Sequence, residues 1–172
     1  MVAPAELRTD RLLLRRWRLE DAVALRAALD VSDAHLRPFI PFMKSEPRTL
    51  VETGGWVAEH IAAFEDGAIL RWAVWAEGAL VGEVMLMSRV GPEALEVGYW
   101  LHVDQVGRGY GREAVAALVD WADSQEVERL EAWCDVANHP SGRLVERLGF
   151  VEARLEKVGD ATLTVWARPR GG

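Results

Sequence analysis

Apolar positions along the chain change period several times, and each change marks an element. Leu12, Leu13, Leu14 and Trp17 form the first apolar run and predict a strand over 7–18. Ala22, Leu25, Ala28 and Leu29 then recur every three or four residues. That is the stripe of an amphipathic helix, with Glu20 and Asp21 at its positive end. Ser32-Asp33 reads as the cap of a short turn. The run Pro38-Phe39-Ile40-Pro41-Phe42-Met43 reads as an apolar loop, because two prolines exclude a regular helix. Such a loop needs a cover from its own core, a ligand or a partner. Val51, Val57, Ile61 and Phe64 restore helical spacing over 47–66, despite Gly54-Gly55, each costing about 1 kcal/mol relative to alanine.

Strands over 70–76 and 80–88 flank the turn Glu77-Gly78-Ala79, and a third begins near Ala94. A helix over 109–124 and a strand over 129–136 follow. Asn138-His139-Pro140-Ser141 opens a last helix, which Gly149 stops. Strands over 151–158 and 162–168 close the chain as a hairpin around Gly159-Asp160. The order β-α-α-β-β-β-α-β-α-β-β predicts an α/β (α+β) architecture, a mixed sheet of six to seven strands with helices on both faces. Without a repeat, linker or low-complexity tract, residues 1–172 read as a single domain.

Composition narrows the partners. The net charge of −7 and the scattered arginines argue against nucleic acid. Cys134 is the only cysteine, which excludes an intrachain disulfide and a cysteine-rich metal site. His35, His60 and His139 lack ligand spacing, so no metal is expected. Charged residues interrupt the first segment and no run is long enough for a membrane span, so the expectation is a cytoplasmic protein without a membrane partner. The eight tryptophans, with no basic stripe beside them, suit core and cleft lining.

Gly107-Arg108-Gly109-Tyr110-Gly111-Arg112 separates the strand beginning near Ala94 from the helix over 109–124. Glycines allow a tight turn and close backbone approach. The first amides of a helix lack internal partners, and its dipole favours an anion, with a diphosphate the natural guest. The dinucleotide fingerprint fails, since its third glycine falls on Arg112. The triphosphate loop fails for want of a lysine. A glycine turn with no ligand is the remaining alternative.

Further segments join this one. They are Thr9-Asp10-Arg11-Leu12-Leu13-Leu14-Arg15 with Glu20-Asp21-Ala22, Leu36 to Phe42, Glu96-Val97-Gly98-Tyr99-Trp100-Leu101, and Asn138-His139-Pro140-Ser141 through Leu148-Gly149-Phe150. In order and spacing they resemble the GNAT N-acetyltransferases of the RimJ/RimL type, across essentially the whole chain. The resemblance implies a fold in which two neighbouring parallel strands splay to admit acetyl-CoA, here those over 94–103 and 129–136. It implies that Gly107, Arg108, Gly109, Tyr110, Gly111 and Arg112 hold the diphosphate. It also implies that backbone at Leu101, His102 and Val103 pairs with the pantetheine arm, that Asn138 bonds the arm, and that Ser141 lies near the thioester sulfur. Two departures stand out. Val106 occupies a position usually Gln or Arg, and Val145 one where many relatives carry an acidic tyrosine.

The implied activity is acetyl transfer to a primary amine, either a peptide or protein N-terminus or a small molecule, by direct attack. An alkylamine has a pKa of about 10.4 and arrives protonated. Glu96, on the strand face of Gly98 and Trp100, is the candidate base through a water, the alternative being an ion-paired strand carboxylate. A backbone N–H between Tyr99 and Leu101 is the candidate oxyanion donor. Ser141 or solvent protonates the leaving thiolate, although Ser141 also suits a plain helix start. His102 reads as a polar strand end and Cys134 as a buried, inert thiol. Phe39, Phe42 and Trp100 are expected to wall the acceptor side. A homodimer is compatible with the sequence. The rival functions are a non-catalytic acyl-CoA-binding sensor and a nucleotide-binding domain.

Overall fold

The computed structural model describes residues 3–125 and 127–171. Among these, eight strands form one open sheet. They are β1 (Glu6–Arg8), β2 (Leu13–Arg16), β3 (Ile69–Ala76), β4 (Ala79–Met87), β5 (Ala94–Leu101), β6 (Arg129–Asp135), β7 (Val151–Val158) and β8 (Ala161–Pro169). They lie side by side as 1-2-3-4-5-6-8-7. The helices are α1 (Ala22–Leu36), α2 (Leu50–Glu65), α3 (Tyr110–Ser124) and α4 (His139–Glu146).

Three local expectations need correction. The strand expected over 7–18 is two short strands, so the sheet exceeds the expected six to seven. Thr9 N–H donates to the Leu12 carbonyl at 3.0 Å, and β2 returns antiparallel to β1. Helix α1 runs on through Ser32 and Asp33 instead of turning there. Ser32 is buried, and its hydroxyl accepts the Val103 N–H at 3.0 Å, so its partner is distant and not a local cap. The proline-bracketed loop contains one 3-10 turn, Pro41–Ser45, whose Met43 is buried.

The remaining elements follow their local signals. Thr49 and Glu52 form a reciprocal capping box that starts α2. Glu77 and Gly78, at φ 50° and 81°, make the twisted turn that joins β3 to β4. Each sheet face carries its own core. Trp72, Leu118, Leu130 and Phe150 pack on the α3/α4 face. Trp17, Leu25, Leu29, Val57 and Trp100 pack on the α1/α2 face.

The feature that positions the site is a break in pairing. β5 and β6 are parallel neighbours only at Ala94–Arg129, Leu95–Leu130 and Glu96–Glu131. Beyond Glu96, β5 stays with β4 as far as Leu101 while β6 stays with β8 as far as Asp135. The backbones of 97–101 and 132–135 therefore face one another across an unpaired gap. Among the described residues, no helix is long and apolar enough to cross a membrane.

Candidate functional site

At the end of β5 the chain passes through a short turn into the glycine segment. Gly107 and Gly109 have φ of 76° and 80°, left-handed backbone that strains any side chain. Gly111 serves another purpose. A Cβ there would lie 2.8 Å from Leu101 Cδ1 and 3.1 Å from Leu144 Cδ1, so glycine lets α3 approach β5 and α4. Among the described residues, no main-chain N–H from Gly107 to Arg112 has a backbone partner, and the first helical bond runs from Glu113 to Gly109 at 3.1 Å. This row of amides at the positive end of α3 fits a diphosphate.

Arg11, from the β1–β2 turn, braces that loop. Its Nη1 donates to the Arg108 carbonyl at 2.9 Å and its Nε to Glu113 at 2.7 Å. Its guanidinium lies 4.7 Å from the centre of the Tyr110 ring. Burial works against the Glu113 charge, but hydrogen bonds from Thr9 and Arg11 outweigh it and hold the carboxyl below its usual range. Sequence reasoning missed Arg11 as a site residue. Its only signal was membership of the opening segment.

Strand alternation orients the rim of the gap. His102 N–H donates to Val81 on β4 at 2.8 Å, so the polar groups of Leu101 turn the other way, into the gap. The Val103 N–H is already taken by Ser32. His102 Nδ1 accepts the Asp104 N–H at 3.1 Å, which fits a polar group at a strand end. Asn138 caps α4, its Oδ1 accepting the Ser141 N–H at 3.3 Å, which leaves its NH₂ group to donate elsewhere.

Ser141 and Tyr99 meet at the α4 end of the gap. Tyr99 points to the α3/α4 face, and its hydroxyl lies 2.6 Å from Ser141 Oγ. Cys134 Sγ lies 3.2 Å from the same oxygen. Burial pushes the Tyr99 phenol well above its ordinary value, helped by the nearby Cys134 and opposed by the Ser141 bond. Burial likewise pushes the Cys134 thiol up, so both groups keep their protons. The sequence reading gave the Tyr99 side chain no role.

On the opposite face, Glu96 is buried, and Arg89 Nε and Nη2 each donate to it at 2.6 Å. The Arg89 side chain is 64% exposed. Glu131, beside Glu96 in register, is buried as well and is held by Arg129, Arg154 and the Trp133 indole. Burial opposes its charge, and these donors pull its pKa below the usual range. The aromatic residues expected on the acceptor side are placed differently. Phe42 packs on Trp56 at 4.9 Å and on Trp100 at 6.4 Å between ring centres, while Phe39 is exposed.

Beneath those rings lies buried Glu83, which accepts from Trp17 Nε1 at 2.6 Å and Arg71 Nη1 at 2.8 Å. Burial raises the pKa of this carboxyl against the pull of Arg71. His60 Nε2 lies 3.8 Å from Glu83 and has no hydrogen-bond partner. Desolvation, and then the charges of Arg71 and Arg48, push its pKa down to about 3.

Residues 11–151 match the family model described as the acetyltransferase (GNAT) domain. The chain belongs to the GNAT acetyltransferase family. It is therefore an acetyltransferase, and acetyl-CoA is its co-substrate. Solved GNAT structures share the fold at low identity. The microcin C7 self-immunity acetyltransferase MccE, in complex with acetyl-CoA and AMP, aligns over 98% of both chains with 15% identity and a TM-score of 0.88. RimL, the ribosomal L7/L12 α-N-protein acetyltransferase, was solved with coenzyme A in a disulfide with one of its cysteines. It aligns over 96% of both chains with 19% identity and a TM-score of 0.86. The ribosomal-protein-S5-alanine acetyltransferase of Vibrio fischeri aligns over 98% of both chains with 20% identity and a TM-score of 0.82. No curated protein matches the sequence.

Proposed function

We propose that this GNAT enzyme acetylates a primary amine, a peptide or protein α-amino group or a small amine bearing an apolar part, by direct attack. The observation that carries the reading is the gap beyond the Glu96–Glu131 pair. It has free amides at the start of α3, Ser141 on one face and Glu96 on the other. Acetyl-CoA, when bound, supplies the activated acetyl group. The amides from Gly107 to Arg112 hold its diphosphate, with Arg108 and Arg112 adding positive charge. The backbone at Leu101 and the Asn138 amide guide the pantetheine arm. Phe42 and Trp100 wall the acceptor side, and a main-chain N–H between Tyr99 and Leu101 faces developing oxyanion charge. By their names, RimL acts on a protein α-amino group and the S5-alanine enzyme on an alanine of a ribosomal protein, which supports a peptide acceptor.

Glu96 accepts the amine's proton, directly or through a water. It does so once Arg89, little packed by its neighbours, swings off the carboxylate. Ser141 supplies a hydrogen bond to the leaving sulfur. Replacing Glu96 by Gln keeps the shape of the site and removes the base. Turnover should fall about 10²–10⁴-fold while acetyl-CoA affinity by calorimetry stays within about twofold. The assay follows free-thiol release with peptides, polyamines, aminoglycosides and aminoacyl nucleotides as acceptors. Unchanged turnover in E96Q eliminates Glu96 as base. Acetyl-CoA binding without turnover on any acceptor favours the acyl-CoA sensor.

A further inference from the structure

Ser141 has one proton and a crowded oxygen. Tyr99 Oη sits 2.6 Å from its Oγ and 3.2 Å from its main-chain carbonyl, and Cys134 Sγ sits 3.2 Å from Oγ. Either oxygen could donate in the short bond, and the phenol could also donate to the Ser141 carbonyl; a phenol is a stronger acid than an alcohol, which favours Tyr99 as donor to Ser141 Oγ. The serine proton then has two places to go, the weakly accepting Cys134 sulfur or the gap. Position 145, one turn along α4, is a fully buried valine, so no phenol reaches Ser141 from its own helix. The phenol arrives instead from β5.

We propose that Tyr99 is the positioning residue of the acid, its phenol donating to Ser141 Oγ so that the serine's own O–H is aimed at the leaving sulfur. This rests on the reading of Ser141 given above. In the transfer, the amine nitrogen–carbon bond forms as the thioester carbon–sulfur bond breaks. The electron pair goes to sulfur, and the amine's proton goes to Glu96 or its water. Ser141 donates a hydrogen bond to the new thiolate, and Tyr99 strengthens that donor through its own bond to Oγ. A thiol has a pKa of about 8.5, well below that of either hydroxyl here. Full proton transfer from the pair is therefore uphill. Ser141 stabilises the thiolate, and the sulfur takes its proton from solvent. Cys134 is the resting acceptor of the serine proton, a neutral sulfur that a thiolate outcompetes.

The test is a mutant cycle on the single-turnover rate. Tyr99→Phe should lower that rate about 10- to 100-fold, the scale of a hydrogen bond to charge, with the acetyl-CoA Kd within about twofold. Ser141→Ala should lose at least as much, and the double variant should be no slower than Ser141→Ala alone. Thermal melts check that each variant folds. A Tyr99→Phe enzyme at full rate, or losses that multiply in the double variant, overturns the proposal. Ser141→Ala at full rate refutes the Ser141 reading itself. A crystal of the enzyme with coenzyme A gives a check independent of any acceptor. The coenzyme sulfur should lie within hydrogen-bonding reach of Ser141 Oγ, with the Tyr99 phenol still on that oxygen. A sulfur lodged elsewhere, or a phenol turned away, contradicts it.

Discussion

The two faces of the gap are built from different materials. On the α3/α4 face the surface that fits a diphosphate is main chain: amides freed by two left-handed glycines and a helix terminus. On the α1/α2 face it is side chain: Phe42, Trp56 and Trp100, tilted or edge-on to one another, near buried Glu83 and His60, with buried Glu96 further back along β5. Amides cannot titrate, and they bind any ligand with the right phosphate spacing. Buried titratable side chains respond to pH, and aromatic rings to the shape of one acceptor. On the proposed reading, the diphosphate of a constant co-substrate meets backbone, and the variable partner meets side chains.

Acid should separate the faces most strongly. Buried His60 is neutral, with its pKa lowered from 6.5 to about 3. Its contribution is fully present above pH 6.5 and is lost as pH falls toward 3, where the folded chain must take up a proton that the unfolded chain already holds. At about 1.4 kcal/mol per unit, the loss sums to about 5 kcal/mol. Glu83, facing His60 from β4, works in the opposite sense, because its raised pKa makes protonation favourable in the fold. Urea unfolding from pH 7 to 5, above the range in which lowered carboxylates such as Glu113 and Glu131 begin to lose their contribution, should show stability falling with acid, and His60→Phe should remove most of the fall. An unchanged slope in that variant assigns the acid sensitivity elsewhere.

Next comes Gly109→Val. Its φ of 80° would cost a β-branched residue about 1–2 kcal/mol of fold stability. The relaxed loop would misaim the amides, and acetyl-CoA affinity should fall by at least about 100-fold, the equivalent of about 2.7 kcal/mol. The chain should still melt cooperatively. Calorimetry showing retained binding refutes the cradle. On the other face, Phe42→Ala removes one ring of the stack. It should raise the acceptor KM about tenfold, the scale of a lost apolar contact, and leave acetyl-CoA affinity alone. A change in acetyl-CoA affinity instead would mean that the faces are not independent.

The same contrast decides what was legible in the sequence. The glycine turn before α3 is encoded locally, in glycine spacing and a strand–helix switch, and was readable. So were the β3–β4 turn, the α2 helix and the Gly149 stop. The strand at 7–18 misled because the turn at Thr9–Leu12 contains Leu12, which extends the apolar run past the reversal. Ser32 misled because its bond to Val103 spans 71 residues, while a cap is judged by nearest neighbours. Tyr99 on Ser141 and Arg89 on Glu96 belong to the same class. Each is a pairing fixed by the sheet and by loop closure, and sequence alone showed only a strand tyrosine and a surface arginine.

The finest test of the comparison lies where side chains touch the backbone cradle. Glu113 puts a negative charge in the first turn of α3, beside the amides that fit a diphosphate. By itself that charge would repel the ligand. Arg11 neutralises it while bonding the Arg108 carbonyl, so one guanidinium both cancels a charge and fixes a loop. Arg11→Ala should weaken acetyl-CoA binding about three- to tenfold, the scale of one partly exposed charge contact. Adding Glu113→Gln removes the exposed charge but not the slack in the loop. If electrostatics dominates, the double variant should recover most of the affinity, and the loss in Arg11→Ala should shrink as salt rises. If the loop brace dominates, neither salt nor the second substitution should restore binding. The cradle would then depend on a side chain for its shape, and the division between a backbone face and a side-chain face would fail at this corner.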